Sequence, residues 1–196
     1  MRPIVLTLLC GLLLATPAGA QAVAWTIDPG HSTAQFTVRH MLVANVHGEF
    51  DGPTGTVTFD PARIADTLKV RAVLDARTIS TRNAQRDRDL KSAGFFDVEK
   101  FQQIAFVSTR VANVSPGHFT LVGNLTMHGV TKEVQLDVEG PTPAVKDLDG
   151  HTRVGATAST TVDRRDFGLR YNELIEGGGA VVGNDVRITI DLEMTR

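Results

Sequence analysis

Cysteine is almost missing from this chain: the single thiol among 196 residues, Cys10, falls inside an apolar N-terminal run. Beyond that run nothing can form a disulfide, supply a thiolate metal ligand or act as a thiol nucleophile. Stability must therefore come from an ordinary core. An excess of one charge is missing too, with 20 basic residues against 22 acidic ones and a net charge of −2. That balance argues against a nucleic-acid binder, which would want a basic stripe, and gives no polybasic membrane patch. After the N-terminal run no apolar stretch is long enough to cross a bilayer as a helix. Repeats, low-complexity tails and linkers are absent, so the rest of the chain reads as one domain.

The N-terminus is the first positive signal. Arg2 precedes the run "IVLTLLCGLLLA", and "TPAGA" follows with Ala18 and Ala20 in A-x-A spacing. This is the layout of a secretory signal peptide, expected to span residues 1–20 and to leave a single domain over 21–196 with no stable membrane insertion.

Strict alternation dominates what remains, the mark of half-buried strands. "AQFTVRH" places Ala34, Phe36, Val38 and His40 on one face. "VHGEFD" adds Val46, Gly48 and Phe50, and "LKVRAVLDA" adds Leu68, Val70, Ala72 and Leu74. "IAFVSTRV", "FTLVGNLTM", "EVQLDVE", "RVGATASTTV" and "VRITIDLEM" continue the pattern. Eight or nine antiparallel strands result, joined by short turns. Several inward positions are small (Ala34, Gly48, Ala72, Gly123, Ala156, Ala158), which suits a hollow barrel or the taper of a packed one. One stretch, about residues 82–101, breaks the strands. Asn83 caps a helix there, Gly94 is expected to end it, and Phe95, Phe96 and Phe101 face the sheet. The loop "EGGGA" at 176–180 is a candidate gate beside an opening.

The polar constellations are sparse. His31 lies between Asp28 and Ser32, which invites comparison with a hydrolase, but neighbours on one turn rarely reach triad geometry. None of the six histidines has metal-ligand spacing, so no metal site, cofactor or catalytic residue is expected. "RDRD" at 86–89 and "RRD" at 164–166 either pair with themselves at the surface or offer Arg86 and Arg165 to an anionic head group.

Taken in order, "WTIDPGHS" at 25–32, "FTVRH" at 36–40, "VHGEF" at 46–50, "RDRDLKSAGFFDV" at 86–98, "GNLTMHGVTK" at 123–132 and "RRDFGL" at 164–169 resemble the signatures of the YceI-like family. The sequence departs from that pattern at Asp89, at Phe101-Gln102 and at Glu133, where histidine, Tyr-Pro and proline are common. The resemblance implies an all-β, eight-stranded antiparallel lipocalin-like barrel with one helical insert. It further implies a bacterial protein, periplasmic or secreted, that binds a long-chain lipid of polyisoprenoid or isoprenoid-quinone type without catalysis, with a homodimer as a family option. The expected lining is Phe36, Val38, Phe50, Phe106, Leu125 and Met127 from alternation, and Phe95, Phe96 and Phe167 from the motifs. Two alternatives stay open: a lipid-modifying enzyme using Asp28, His31 and Ser32, and a packed envelope stress protein acting through its surface.

Overall fold

The computed structural model describes residues 21–173 and 180–196. The signal-peptide reading and all but Ala180 of the expected gate loop lie outside the described residues.

Strands form where the alternation runs. In order they are β1 (Val23–Ile27), β2 (Thr33–His40), β3 (Ala44–Phe50), β4 (Thr54–Phe59), β5 (Lys69–Asp75), β6 (Gln103–Ser115), β7 (His118–Met127), β8 (Val130–Glu139), β9 (Val145–Lys146), β10 (Thr152–Asp163) and β11 (Val182–Thr195). The sequence β11–β1–β4–β5–β6–β7–β8–β10 returns to β11 and so closes an eight-stranded antiparallel barrel. β2 and β3 extend two of these staves. β11 meets β1 at Met194 and Thr195, then meets β2 from Asp191 back to Val182. β1–β2 is therefore one bent stave, and β3–β4 is another. The expected eight or nine strands become eleven segments through these two bends and the two-residue β9.

Both staves bend at the same height. The Asp28 carboxylate accepts the Gly30 N–H at 3.0 Å, the hydrogen bond of an Asx turn. Gly52 of the second stave nests against this bend. A Cβ on Gly52 would stand 2.1 Å from the Pro29 carbonyl oxygen and 2.6 Å from that of Ser32.

Burial changes along the barrel axis. Where β1 starts and β11 finishes, Trp25, Ile27, Phe59, Phe119, Val138 and Met194 form a dense core, with Trp25 stacked on Phe59 at 5.8 Å. Toward the other end Phe36, Val38, Phe50, Val186 and Ile188 are only half-buried although they point inward. Inward side chains that stay accessible border open space. The barrel is thus packed most tightly at one end and opens toward the other.

The insert closes the hollow end. Besides α1 (Ile64–Thr67), the helix α2 (Ala84–Lys91) begins on Asn83, whose side chain accepts the Gln85 and Arg86 N–H groups at 3.1 and 3.0 Å. It stops before the expected Gly94, because the Ser92 N–H and hydroxyl both turn back to the Asp89 carbonyl. Residues 92–101 continue as tight turns: Phe96 N–H returns to the Leu90 carbonyl and Val98 N–H to that of Lys91. Short helical turns at Pro61–Arg63, Ala76–Thr78 and Arg164–Phe167 correct the expectation of a single helical interruption. Each starts on an aspartate cap, Asp60, Asp75 or Asp163.

Candidate functional site

The hollow interior holds the candidate site. Its free volume, counted as space open to the centre of a water-sized sphere, is about 230 Å³. One water needs only ~10–15 Å³ by the same measure, so this is room for a ligand and not a packing flaw. Among the described residues lining it, only Gln35, Thr160 and Arg164 are polar. The cavity runs from Leu90, Phe95 and Phe96 at the insert down to Ile64, Pro141 and Met194 at the packed end.

Two glycines shape the wall. Phe36 pairs across the sheet with Gly48, where a Cβ would meet the Phe36 ring at 2.2 Å. The Phe106 ring covers Gly123 in the same way at 2.4 Å. A ring laid flat over glycine covers the backbone and leaves the axis free. The small inward positions thus serve as seats for large rings as well as empty space.

Phe36, Val38, Phe50, Phe106, Leu125 and Met127 all stand on the cavity wall, as does the pair Phe95 and Phe96. Phe96 meets Phe50 edge-on at 6.0 Å, and Phe95 meets Tyr171 at 4.8 Å, so the insert is tied to both sides of the end it covers.

Four residues singled out in the sequence fall elsewhere. Phe167 is 1% exposed and absent from the wall; its turn carries it into a packed cluster with Val98, Ile104 and Met127. Phe101 rests on His128 at 4.7 Å and over Gly129, away from the lumen. Arg86 turns back to Thr81, donating to its hydroxyl at 2.7 Å and its carbonyl at 3.0 Å, which ties the helix to the loop before it. Arg165 is exposed and forked onto Asp163, with its closest contact at 2.5 Å. Neither arginine reaches the cavity, so the head-group role read for both is corrected.

The polar wall residue that motif reading missed is Arg164, 5% exposed. It donates Nε–H to the Gly183 carbonyl (2.9 Å) and one terminal nitrogen to the carbonyls of Leu169 (2.5 Å) and Tyr171 (2.8 Å). These acceptors are neutral, and burial pushes the guanidinium below its usual pKa, though arginine stays charged. Asp163 is taken by Arg165, whose hydrogen bonds hold that carboxyl down at about 2. The signal was present: the inward series Ala156, Ala158, Thr160 and Val162 lands next on position 164. Arg164→Lys keeps the charge and loses the fork, so urea unfolding should show a loss of about 2–4 kcal/mol. Arg165→Lys should stay within about 0.5 kcal/mol. Equal effects would remove the distinction between them.

The Asp28 constellation does not assemble as a triad. His31 Nδ1 lies 2.9 Å from Asp28, whose carboxyl is held down at about 2 by hydrogen bonds from His31 and then Arg153. Ser32 is turned away: its Oγ donates to the Glu193 carbonyl at 3.3 Å and accepts the Glu193 N–H at 3.0 Å. None of the three lines the cavity. Asp28, His31 and Glu193, and likewise Asp147, Asp149 and His151, bring potential metal ligands together. Arg153 donates to Asp28, Asp147 and Glu193, supplying the positive charge these carboxylates would seek from an ion.

The sequence profile of the YceI-like domain matches residues 25–194. A UPF0312 protein of Staphylococcus aureus strain MSSA476 is 33% identical over 176 residues, covering 87% of this chain and 96% of the relative. Among solved structures, Burkholderia cenocepacia BcnA superposes with a TM-score of 0.70 at 19% identity, over 85% of this chain and 98% of that one. A Campylobacter jejuni YCEI protein gives 0.68 at 25% identity, over 81% and 89%. A polyisoprenoid binding domain from Saccharophagus degradans, implicated in plant cell wall breakdown, gives 0.62 at 14%, over 87% and 97%.

Proposed function

Because this chain belongs to the YceI-like family, we propose that it is a periplasmic or secreted carrier that buries one long-chain lipid, of polyisoprenoid or isoprenoid-quinone type, in its barrel. The observation that carries this reading is the continuous cavity with three polar residues among its described lining. Such a wall offers an apolar chain shelter from water and little chemistry. At about 25 cal/mol per Å² of apolar surface, a long chain gains several kcal/mol from shielding alone. The polyisoprenoid-binding neighbour from Saccharophagus degradans supports the ligand class, since it shares the fold. Arg164 is the group best placed to meet a polar head, being the one charged residue on the described wall.

The mechanism is burial, so the protein acts by holding and releasing and is not an enzyme. Native mass spectrometry of gently purified protein, followed by organic extraction, tests this directly. One isoprenoid lipid per chain is expected. Protein that emerges empty, and stays empty after incubation with a long-chain isoprenoid alcohol, would refute the reading.

A further inference from the structure

The turn between β2 and β3 holds apolar side chains out in water beside the hollow end of the barrel. Met41, Leu42 and Val43 are 41%, 62% and 77% exposed. The Val43 N–H closes the turn on the His40 carbonyl at 3.1 Å, with Met41 and Leu42 both at positive φ, 49° and 62°. Hairpins fill two successive left-handed positions most readily with asparagine and glycine. Methionine and leucine suit that backbone poorly, since their Cβ crowds the following carbonyl. Neither backbone preference nor core packing accounts for these side chains.

The surroundings point to a partner. From Thr33 to Gly48 the chain has no acidic residue; its ionisable groups are Arg39, His40 and His47. Arg39 Nε donates to the Leu42 carbonyl at 3.2 Å, so a cation stands at the root of the apolar tip. Apolar tips with basic roots suit the boundary between lipid head groups and acyl chains. The hydrogen bonds leading away from the tip reach Glu173: Met41 N–H meets the Val181 carbonyl, and Val181 N–H meets that of Glu173. That carboxylate accepts the hydroxyl of Tyr171, an exposed ring of the kind found at membrane interfaces. Along the β2–β11 ladder, Val38 and its partner Val186 are already on the cavity wall. Val182, the partner of His40, lies on the same wall, so the lumen reaches the foot of the exposed turn.

We propose that this hairpin docks the hollow end of the barrel on a bilayer carrying anionic head groups, bringing the cavity to the membrane that holds its ligand. The inference rests on the carrier reading above. Leu148, at the far end of the barrel, is barer still but is a single side chain set between Asp147 and Asp149.

Co-sedimentation with phosphatidylcholine vesicles, with and without phosphatidylglycerol, tests the docking. The intact protein should bind the mixed vesicles. Met41→Asn with Leu42→Gly fits the turn's backbone and keeps the fold, yet should weaken binding roughly tenfold or more. Leu148→Ser should change nothing. Failure of the intact protein to bind either vesicle, or undiminished binding by the turn variant, overturns the proposal. Native mass spectrometry of the same samples separates the two readings. A lipid-loaded protein that ignores vesicles overturns docking alone, whereas an empty protein that binds through the hairpin overturns the carrier reading alone.

Discussion

Ala72→Phe and Ala156→Phe, each a half-buried wall position, should lower the lipid recovered from the purified protein, and together they should abolish it. Each new ring takes space along the lumen and displaces roughly 60 Å² of ligand contact, or about 1.5 kcal/mol and a tenfold loss of affinity. The effect on folding should be smaller, about 1–3 kcal/mol for an overfilled site. Far-ultraviolet circular dichroism then confirms the barrel while extraction reports its contents. A folded double variant that still carries one lipid per chain would mean that the ligand does not occupy this cavity.

Gly55→Ala should be the most damaging single methyl in the protein, at about 3–5 kcal/mol by urea unfolding. Gly55 has a φ of +146°, a region that side chains rarely tolerate, and a Cβ there would lie 2.0 Å from the Arg71 carbonyl oxygen and 2.9 Å from the Ala72 Cα. Both belong to the backbone of the neighbouring stave, which cannot retreat without breaking the Gly55–Ala72 pairing. Gly48→Ala makes an informative contrast. Its Cβ would also collide, but with the far end of the Phe36 ring, which can swing into the lumen. The cost there should be about 1 kcal/mol, with lipid content falling as the ring intrudes. If Gly55→Ala unfolds within about 1 kcal/mol of the parent, the stave has more freedom than its pairing implies.

Much of this was legible because the side-chain period of a strand is two. That rule placed Phe36, Val38, Phe50, Phe106, Leu125 and Met127 on one surface, and the structure puts all six on the cavity wall. Carried one step past β10 it would also have reached Arg164. Reading "RRD" as a charge cluster detached from its strand picked Arg165 instead, which points outward. Phe167 came from motif resemblance, which reports that a residue matters and not where it faces. Arg86 shows the same gap: a cation on a helix looks available until the Thr81 hydroxyl and carbonyl claim it. The short helical turns were within reach through their aspartate caps. Closure of the ring came through the family resemblance alone, since alternation says that a face is covered but is silent on which strand covers an edge. Nothing local announces that β11 will pair with β1, β2 and β10 at once.

That triple pairing has a consequence for how the molecule comes into being. Each stave after the first can pair with one made before it as the polypeptide emerges, whereas β11 is synthesised after all of them and joins both margins of the sheet. Until it arrives, β10 and the β1–β2 stave are bare edges, with exposed hydrogen-bonding groups and an uncovered greasy interior. The final step of assembly also brings together segments far apart along the chain, such as Thr26 and Thr195, the kind of contact that forms slowly. During its manufacture the nascent molecule is an open trough, and the last strand turns it into a vessel.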